Sequence, residues 1–380
     1  MKKLIPLFKI ALFLLITIFL IYGLIQARQI LYPLAFGGLI AYLLYPLVNY
    51  LEKNRFPRIL AILVGIIFAL MVLAGIFLLF YNQLGNMFDD FDALKDRAIS
   101  NIENFQHTIN EKLGLSDNLI ERTLKKQVEF FFGAEGGGLR EIFSTTTGTI
   151  FRLVILPVYV FLFLFYRTKF AYFILKVVNE EDKKVTIKIL RDISTIASRY
   201  MGGVLIVVLI LTVLNSSGLA IIGVEYALLL GIISAFFNFI PYFGTLMGGA
   251  IPLSFVLLTA DQPAQMGIKV ALFFVIIQFT ENNILTPNIV GGNVKINPFF
   301  VIIGLVIGAV IWGIPGMLLI IPVLAIARII TSNIPHLKPY GFLLGPKGTQ
   351  KHSIKMSRIK KIFHLKKKKD LDEETDPLDA

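Results

Sequence analysis

The sequence predicts an all-α polytopic membrane protein. It has about eight transmembrane segments, some of them broken or re-entrant helical hairpins, and a helical extramembrane insertion. Three observations carry this. Of 380 residues, 56% are hydrophobic and 16% charged, where soluble domains run nearer a quarter charged. The apolar residues fall in runs of membrane-spanning length. In the C-terminal half, the runs shorten and pair up around Gly/Pro/Asn breaks, a pattern that points to a transporter's binding region.

Residues Leu4 to Ile25 form a nearly unbroken apolar run after Met1-Lys2-Lys3. The run is too long for a signal-peptide core and no small-residue cleavage site follows, so it reads as a first span with its N-terminus inside. Ile30 to Leu51 is the second span. The loop after it carries Lys53, Arg55 and Arg58, which places that loop on the cytoplasmic side. Ile59 to Tyr81 returns outward. Residues 1–81 thus hold the first three spans, and Gly37, Gly38, Gly65 and Gly75 suit close helix packing.

Residues 82–147 read as an outer-side helical insertion. Phe88, Phe91, Leu94, Ala98, Ile102 and Phe105 recur at helical spacing. Gly114-Leu115-Ser116-Asp117 reads as a stop and a new start, with Ser116 or Asp117 as N-cap, and a second helix follows from about Asn118 to Phe132. Gly136-Gly137-Gly138 lacks the Lys-Ser/Thr of a phosphate loop. Packing or assembly with neighbouring subunits fits this insertion better than ligand binding.

Residues 148–331 read as the transport core. Thr149 to Tyr166 is a fourth span that Pro157 can kink. Residues 167–200 form a cytoplasmic linker, mixed in charge, which fits one or two helices lying at that face. Gly202 to Ile222 is a fifth span, and its Asn215-Ser216-Ser217 run needs protein or a cavity beside it. Tyr226 to Ile240 and Thr245 to Thr259 are arms of 15 residues each, or about 22 Å of helix against a hydrocarbon core of about 30 Å. Each is a leg of a hairpin or part of a kinked span. The break between them is Asn238-Phe239-Ile240-Pro241-Tyr242-Phe243-Gly244. Gly267 to Leu285 is a normal-length span ending in a polar cluster. Phe299 to Trp312 and Met317 to Ile330 are again short arms, around Gly313-Ile314-Pro315-Gly316.

Residues 332–380 form a basic tail. Ten Lys or Arg and no acid lie between Lys347 and Lys369. A cytoplasmic tail that meets anionic lipid explains this, and the net charge of +12, better than nucleic acid does. Both termini are then cytoplasmic, a parity that holds whether the short arms are hairpin legs or full spans. The sequence holds no cysteine and no HExxH, GxSxG, Walker A or dinucleotide fingerprint. The four histidines are scattered, so an enzyme, a bound metal and a cofactor are not expected.

The candidate site residues follow from cost. An ionisable group at membrane depth costs about 2.5–3.5 kcal/mol on insertion scales, so Glu281 is expected to have a job. One reading is a proton- or cation-coupling carboxylate, with Gln278, Asn282 and Asn283 supplying amides to a small polar solute. The other is a helix-end carboxylate paired to Lys295 or Arg199. Asn238, Pro241 and Gly244 free backbone groups that can hold an ion or solute, or else form a tight turn. Asn215 and Ser216 are further polar candidates. Pro287, Gly291 and Gly292 read as a hinge, and Gly313, Pro315 and Gly316 as a hairpin tip that serves as gate or turn. Trp312, the single tryptophan, reads as packing or an interface anchor.

Several motifs together resemble a known family. They are Arg199-Tyr200-Met201-Gly202-Gly203, Gly231 through the NFIPYFG break, and Glu281-Asn282-Asn283-Ile284-Leu285-Thr286-Pro287-Asn288-Ile289-Val290-Gly291. Asn297-Pro298, Gly313-Ile314-Pro315-Gly316 and Ile321-Pro322 follow in order. The chain up to about Ser332 resembles the autoinducer-2 exporter family, or PerM-like permeases. The resemblance implies a secondary transporter of the bacterial inner membrane and a homo-oligomer, in the form of a pentamer. It also implies autoinducer-2 export or sodium/proton exchange as the activity. A non-transporting membrane scaffold is the alternative from a different class.

Overall fold

The computed structural model describes residues 4–113, 119–132, 147–290 and 296–346. Among these there is helix and no strand. Six helices are long and apolar enough to cross a membrane, and shorter apolar helices lie between them. The N-cap expected at Ser116 or Asp117, the glycine run 136–138, the hinge glycines Gly291 and Gly292, and the basic tail lie outside the described residues.

Helices α1 (Leu4–Gln26) and α2 (Arg28–Lys53) match the first two expected spans closely. Helix α3 (Arg58–Asp89) runs eight residues past the expected end at Tyr81. Nothing in Asn82-Gln83-Leu84 breaks a helix, and Leu84 and Met87 find a core of their own against Leu229. The insertion is a helix pair, α4 (Phe91–Leu113) and α5 (Leu119–Phe132). Helix α6 (Thr147–Val177) passes through Pro157 without ending.

The stretch expected to form one or two helices at the cytoplasmic face is made of parts of two longer helices. Its first part is the end of α6. Its second part is the start of α7 (Lys183–Ile222), a continuous 40-residue helix. The chain turns only at residues 178–182, in a short 3-10 turn at Glu180–Asp182. No proline lies between Lys183 and Ile222, and the first true stop is Gly223, at φ 90°. A change from charged to apolar residues alters what a helix faces without ending it.

Helices α2 and α6 run parallel and α3 runs against them. Gly37 packs on Tyr159, Gly65 on Val48, and Arg58 donates to the Leu164 carbonyl at 2.9 Å. At that end Glu52 accepts from Arg167, and Arg58 lies 3.9 Å from it. Arg167 also sits over the Tyr45 ring, 5.0 Å from its centroid. Lys53, Arg55, Arg58, Arg167 and Lys169 collect at this end of the bundle. Asp89, Asp90, Glu225 and Asp261 mark the other.

After α7 come α8 (Ala227–Phe237) and α9 (Phe243–Thr259). Helix α8 folds back along α7, with Gly231 against Ser216 and Asn215 bonded to Ser234. Helix α9 returns along α8, with Gly244 against Phe237 and Gly248 against Ser234. Val256 then rejoins Leu219 and Val224. The pair is therefore a hairpin that enters and leaves on the Gly223 side. Its 11-residue first arm spans only about 16 Å and cannot cross a bilayer. Helix α10 (Pro263–Thr280) runs down beside it and passes into a π-helical turn at Glu281–Leu285, then a one-turn helix α11 (Thr286–Ile289).

The last hairpin is α12 (Pro298–Trp312) and α13 (Ile314–Asn333), closed at its base by α14 (Lys338–Leu344). It goes deeper than the first. The Trp312 indole donates to the carbonyl of Leu24, in the last turn of α1, at 2.9 Å. The tip thus lies level with the far end of the 23-residue α1. The turn uses Gly313 at φ 67°, a conformation that glycine adopts at no steric cost.

Glycine also lets the two arms touch. A Cβ on Gly316 would lie 2.0 Å from the Gly308 carbonyl oxygen, whereas one on Gly75 would meet nothing within 4 Å. Gly316→Ala is expected to cost about 1–3 kcal/mol through overpacking. Gly75→Ala should be neutral or slightly stabilising, since alanine is the better helix former. Thermal unfolding of the two purified variants checks the contrast.

Candidate functional site

The tip of the α8–α9 hairpin is built from residues that cannot continue a helix. Pro241 has no N–H to give. Tyr242 takes φ 65°, a positive value uncommon for a residue with a side chain. The turn is held by Phe243 N–H to the Pro241 carbonyl at 2.8 Å and Gly244 N–H to the Ile240 carbonyl at 2.7 Å. Gly244 sits under the turn, where a Cβ would come within 2.2 Å of the Phe237 carbonyl oxygen. Ile240 is buried and anchors the tip beside Tyr200 and Val301.

The end of α10 arrives at the same place. Glu281 opens the π-helical turn, a form that inserts one residue into a helix and is frequent at functional sites. Six residues on, Pro287 removes the N–H that would close on the Asn283 carbonyl. Glu281 is only 8% exposed. Its Oε2 accepts from Gln278 Nε2 at 2.7 Å. Asn283 turns away, donating to the Phe279 carbonyl at 2.8 Å. Asn282 is exposed and faces the cavity described next.

A cavity of about 630 Å³ joins these parts. The hairpin tip gives it Asn238, Pro241, Tyr242 and Thr245. The α10 end and α11 give Glu281, Asn282, Thr286, Pro287 and Val290. Tyr200, Val204 and Val207 of α7 form one wall, and Ile296, Pro298, Val301 and Ile321 of the last hairpin form another. The wall is mostly apolar, with amides, hydroxyls and one carboxylate converging on it. That composition suits a small solute held by a few polar contacts. No cluster able to hold a metal ion occurs among the described residues.

The sequence-predicted residues thus divide. Glu281, Asn282, Asn238, Pro241 and Pro287 line one cavity, and Gln278 reaches it through Glu281. Asn215 and Ser216 sit elsewhere, in the seam between α7 and α8. Asn215 is 1% exposed and donates to Ser234 Oγ at 3.0 Å, while Ser216 bonds the Leu228 carbonyl at 3.4 Å. Gly313, Pro315 and Gly316 form the far tip of the last hairpin, away from the cavity. Among the described residues Glu281 has no ion pair, and Arg199 is exposed. Lys295, its other suggested partner, lies outside them. Sequence reasoning missed Tyr200, Tyr242, Thr245 and Thr286 as lining residues. Tyr242 and Thr245 adjoin the break and were findable as such, whereas Tyr200 needed the course of α7.

Comparison with known proteins gives the same region a context. A family profile described as AI-2E family transporter matches residues 14–336. YrrI of Bacillus subtilis is 29% identical over 313 residues, covering 80% of this chain and 86% of the relative. YueF of the same organism is 26% identical over 319 residues, covering 80% and 84%. YhhT of Escherichia coli K12 is 23% identical over 333 residues, covering 85% and 90%. Each is named as a transport protein.

Gln278→Leu removes the amide that Glu281 accepts from. Stripping a hydrogen bond from a buried carboxylate costs about 1–3 kcal/mol, so this variant is expected to melt earlier than the parent. Asn283→Leu, whose amide serves only its own helix, should change the melting temperature far less.

Proposed function

The chain belongs to the AI-2E family of transporters, and on that premise we propose that it moves a small polar solute through the Glu281 cavity. It is a multi-pass membrane protein. Transport runs by alternating access, driven by an ion gradient, with the hairpin tip and the Pro287 region as moving parts. The observation that carries this reading is that Glu281 and the Asn238–Tyr242 break, 39 positions apart in sequence from Tyr242 to Glu281, line one cavity. Broken backbone at membrane depth is tolerated where it lines a cavity or is buried in protein, and such breaks form ion and substrate sites in transporters. Autoinducer-2, for which the family is named, is the first solute to test.

A second reading, sodium/proton exchange alone, is favoured by the lone carboxylate. Glu281 is the cavity's acidic group among the described lining residues, and one carboxylate suffices to carry a proton or sodium ion. Both readings place the protein in the cytoplasmic membrane with its termini inside. The collection of Lys53, Arg55, Arg58, Arg167 and Lys169 at one end supports that orientation. We extend the proposal to a homo-oligomer, a pentamer by family resemblance, and to contact of the basic tail with anionic lipid.

Inverted membrane vesicles separate the readings. Uptake of labelled autoinducer-2 is measured with and without a pH or sodium gradient, and a pH-sensitive dye reports exchange. Gradient-driven flux is expected, with Glu281→Gln lowering it strongly, since an ionisable group kept at membrane depth against its cost marks the ion or substrate path. Dye response without solute uptake selects exchange. Flux that ignores both the gradient and Glu281→Gln overturns the coupling and the residue together. Absence of any flux, with Glu281→Leu and Asn282→Leu tolerated in vivo, leaves the scaffold.

A further inference from the structure

The insertion helix α4 grips the hairpin from outside. Its Asn101 amide donates to two carbonyls at the C-terminal end of α9, Leu258 at 2.8 Å and Ala260 at 3.0 Å. Carbonyls at a helix C-terminus have no partner within the helix, so one side chain caps them. At the entry to α8, the Tyr226 hydroxyl donates to the Asp90 carboxylate. Beside it Arg97 pairs with Glu225 at 3.0 Å. Apolar contacts back these bonds: Leu84, Met87 and Leu94 close on Leu229, and the Ala98, Ile102 and Val128 cluster takes in Leu258.

The hairpin so gripped is jointed. Among the described non-glycine residues, positive φ occurs at Arg55, Tyr226 and Tyr242. The last two precede the two arms, Tyr226 directly before the 11-residue α8 and Tyr242 directly before α9. Such residues cost about 1–3 kcal/mol each and persist only where the surroundings impose them. At Tyr226 the surroundings are Asp90, Arg97 and the apolar cluster of α3 and α4. Helix α9 is unbroken from Phe243 to Thr259, so a shift at its capped end reaches the tip, about 25 Å away.

We propose that Asn101, with Asp90 and Arg97, positions the α8–α9 hairpin, so that the insertion sets how deeply the Asn238–Tyr242 tip sits in the cavity. The insertion is then a clamp on the broken segment. The functional meaning of this rests on the transport reading, while the positioning itself does not.

The test uses the full chain, which has no cysteine, so one introduced thiol is unique. Thr245→Cys places it in the cavity at the hairpin. Ser194→Cys places a reference thiol in a separate cavity among α2, α6 and α7. Reaction with a water-soluble maleimide is timed in membranes. Adding Asn101→Ala is expected to speed the reaction at position 245 by about fivefold, on the scale of one lost hydrogen bond, and leave position 194 unchanged. Asn101→Gln, which keeps an amide donor, should recover part of the parent rate. Arg97→Glu should act like Asn101→Ala and be reversed by Glu225→Arg. Absence of a rise at position 245 in both single variants overturns the proposal, as does a rise matched at position 194. Flux in Glu281→Gln judges the transport reading, so the two proposals fail separately.

Discussion

The constraint on which this structure depends is that backbone polar groups in hydrocarbon must find partners inside the protein. Continuous helices satisfy it by themselves. The turn at Pro241 does not, because proline lacks a donor and Tyr242, at positive φ, interrupts the ladder. Two local bonds close the turn, from Phe243 to Pro241 and from Gly244 to Ile240. Neighbouring helices must cover what remains. Everything packed around the tip has that task, from Tyr200 and Ile240 to Ile296 and Val301 at the base of the last hairpin.

How closely the helices cover it is decided by small residues. Lipid tails are as apolar as leucine, so helix association in a membrane relies on close packing more than on the hydrophobic effect. The α7–α8–α9 seam shows how that is met. Gly231 has no room for a Cβ against Ser216, and Gly248 meets the Ser234 carbonyl at 3.0 Å from where a Cβ would lie. Asn215 and Ser234 share a hydrogen bond in the middle of the seam. These polar groups hold the hairpin against α7 and leave the cavity's chemistry to others. The Asn215 amide nitrogen is thereby committed to the seam between α7 and α8.

Much of this was legible in the sequence, for a physical reason. Helix breaks are local events written in Pro, Gly and Asn, so the tips at Asn238–Gly244 and Gly313–Gly316 can be read residue by residue. The excess of apolar residues gave the class, and the cost of a buried carboxylate singled out Glu281. What could not be read is what depends on neighbours in space. The continuity of α7 was hidden because its composition changes at Gly202 while its helical ladder does not. The partner of Asn215 lies on another helix, 19 positions away. The depth of the last hairpin rests on a bond between Trp312 and Leu24, 288 positions apart. The lining role of Tyr200 required knowing which face of a 40-residue helix turns toward the break.

The two hairpins are unlike in a way that bears on how the proposed site would work. They approach from opposite ends of the bundle and differ in how they are fixed. The last hairpin is fastened along its length, by the Gly308–Gly316 backbone contact and by Trp312 at its tip. The first is fastened where it emerges and along the seam with α7, and within its tip only Ile240 and Gly244 are buried, while Phe239, Tyr242 and Phe243 are exposed or half-buried. A segment held at its base and lightly at its tip moves at the tip first, since local opening follows the sparsest packing. Glu281 stands beside that tip on a helix end already loosened by a π-turn and a proline. On the proposed reading, solute and ion would therefore meet the mobile face of the cavity at Asn238–Tyr242 and its firm face at Val301 and Ile321. Alternating access would then need only the first hairpin and the α10 end to change places relative to a fixed remainder.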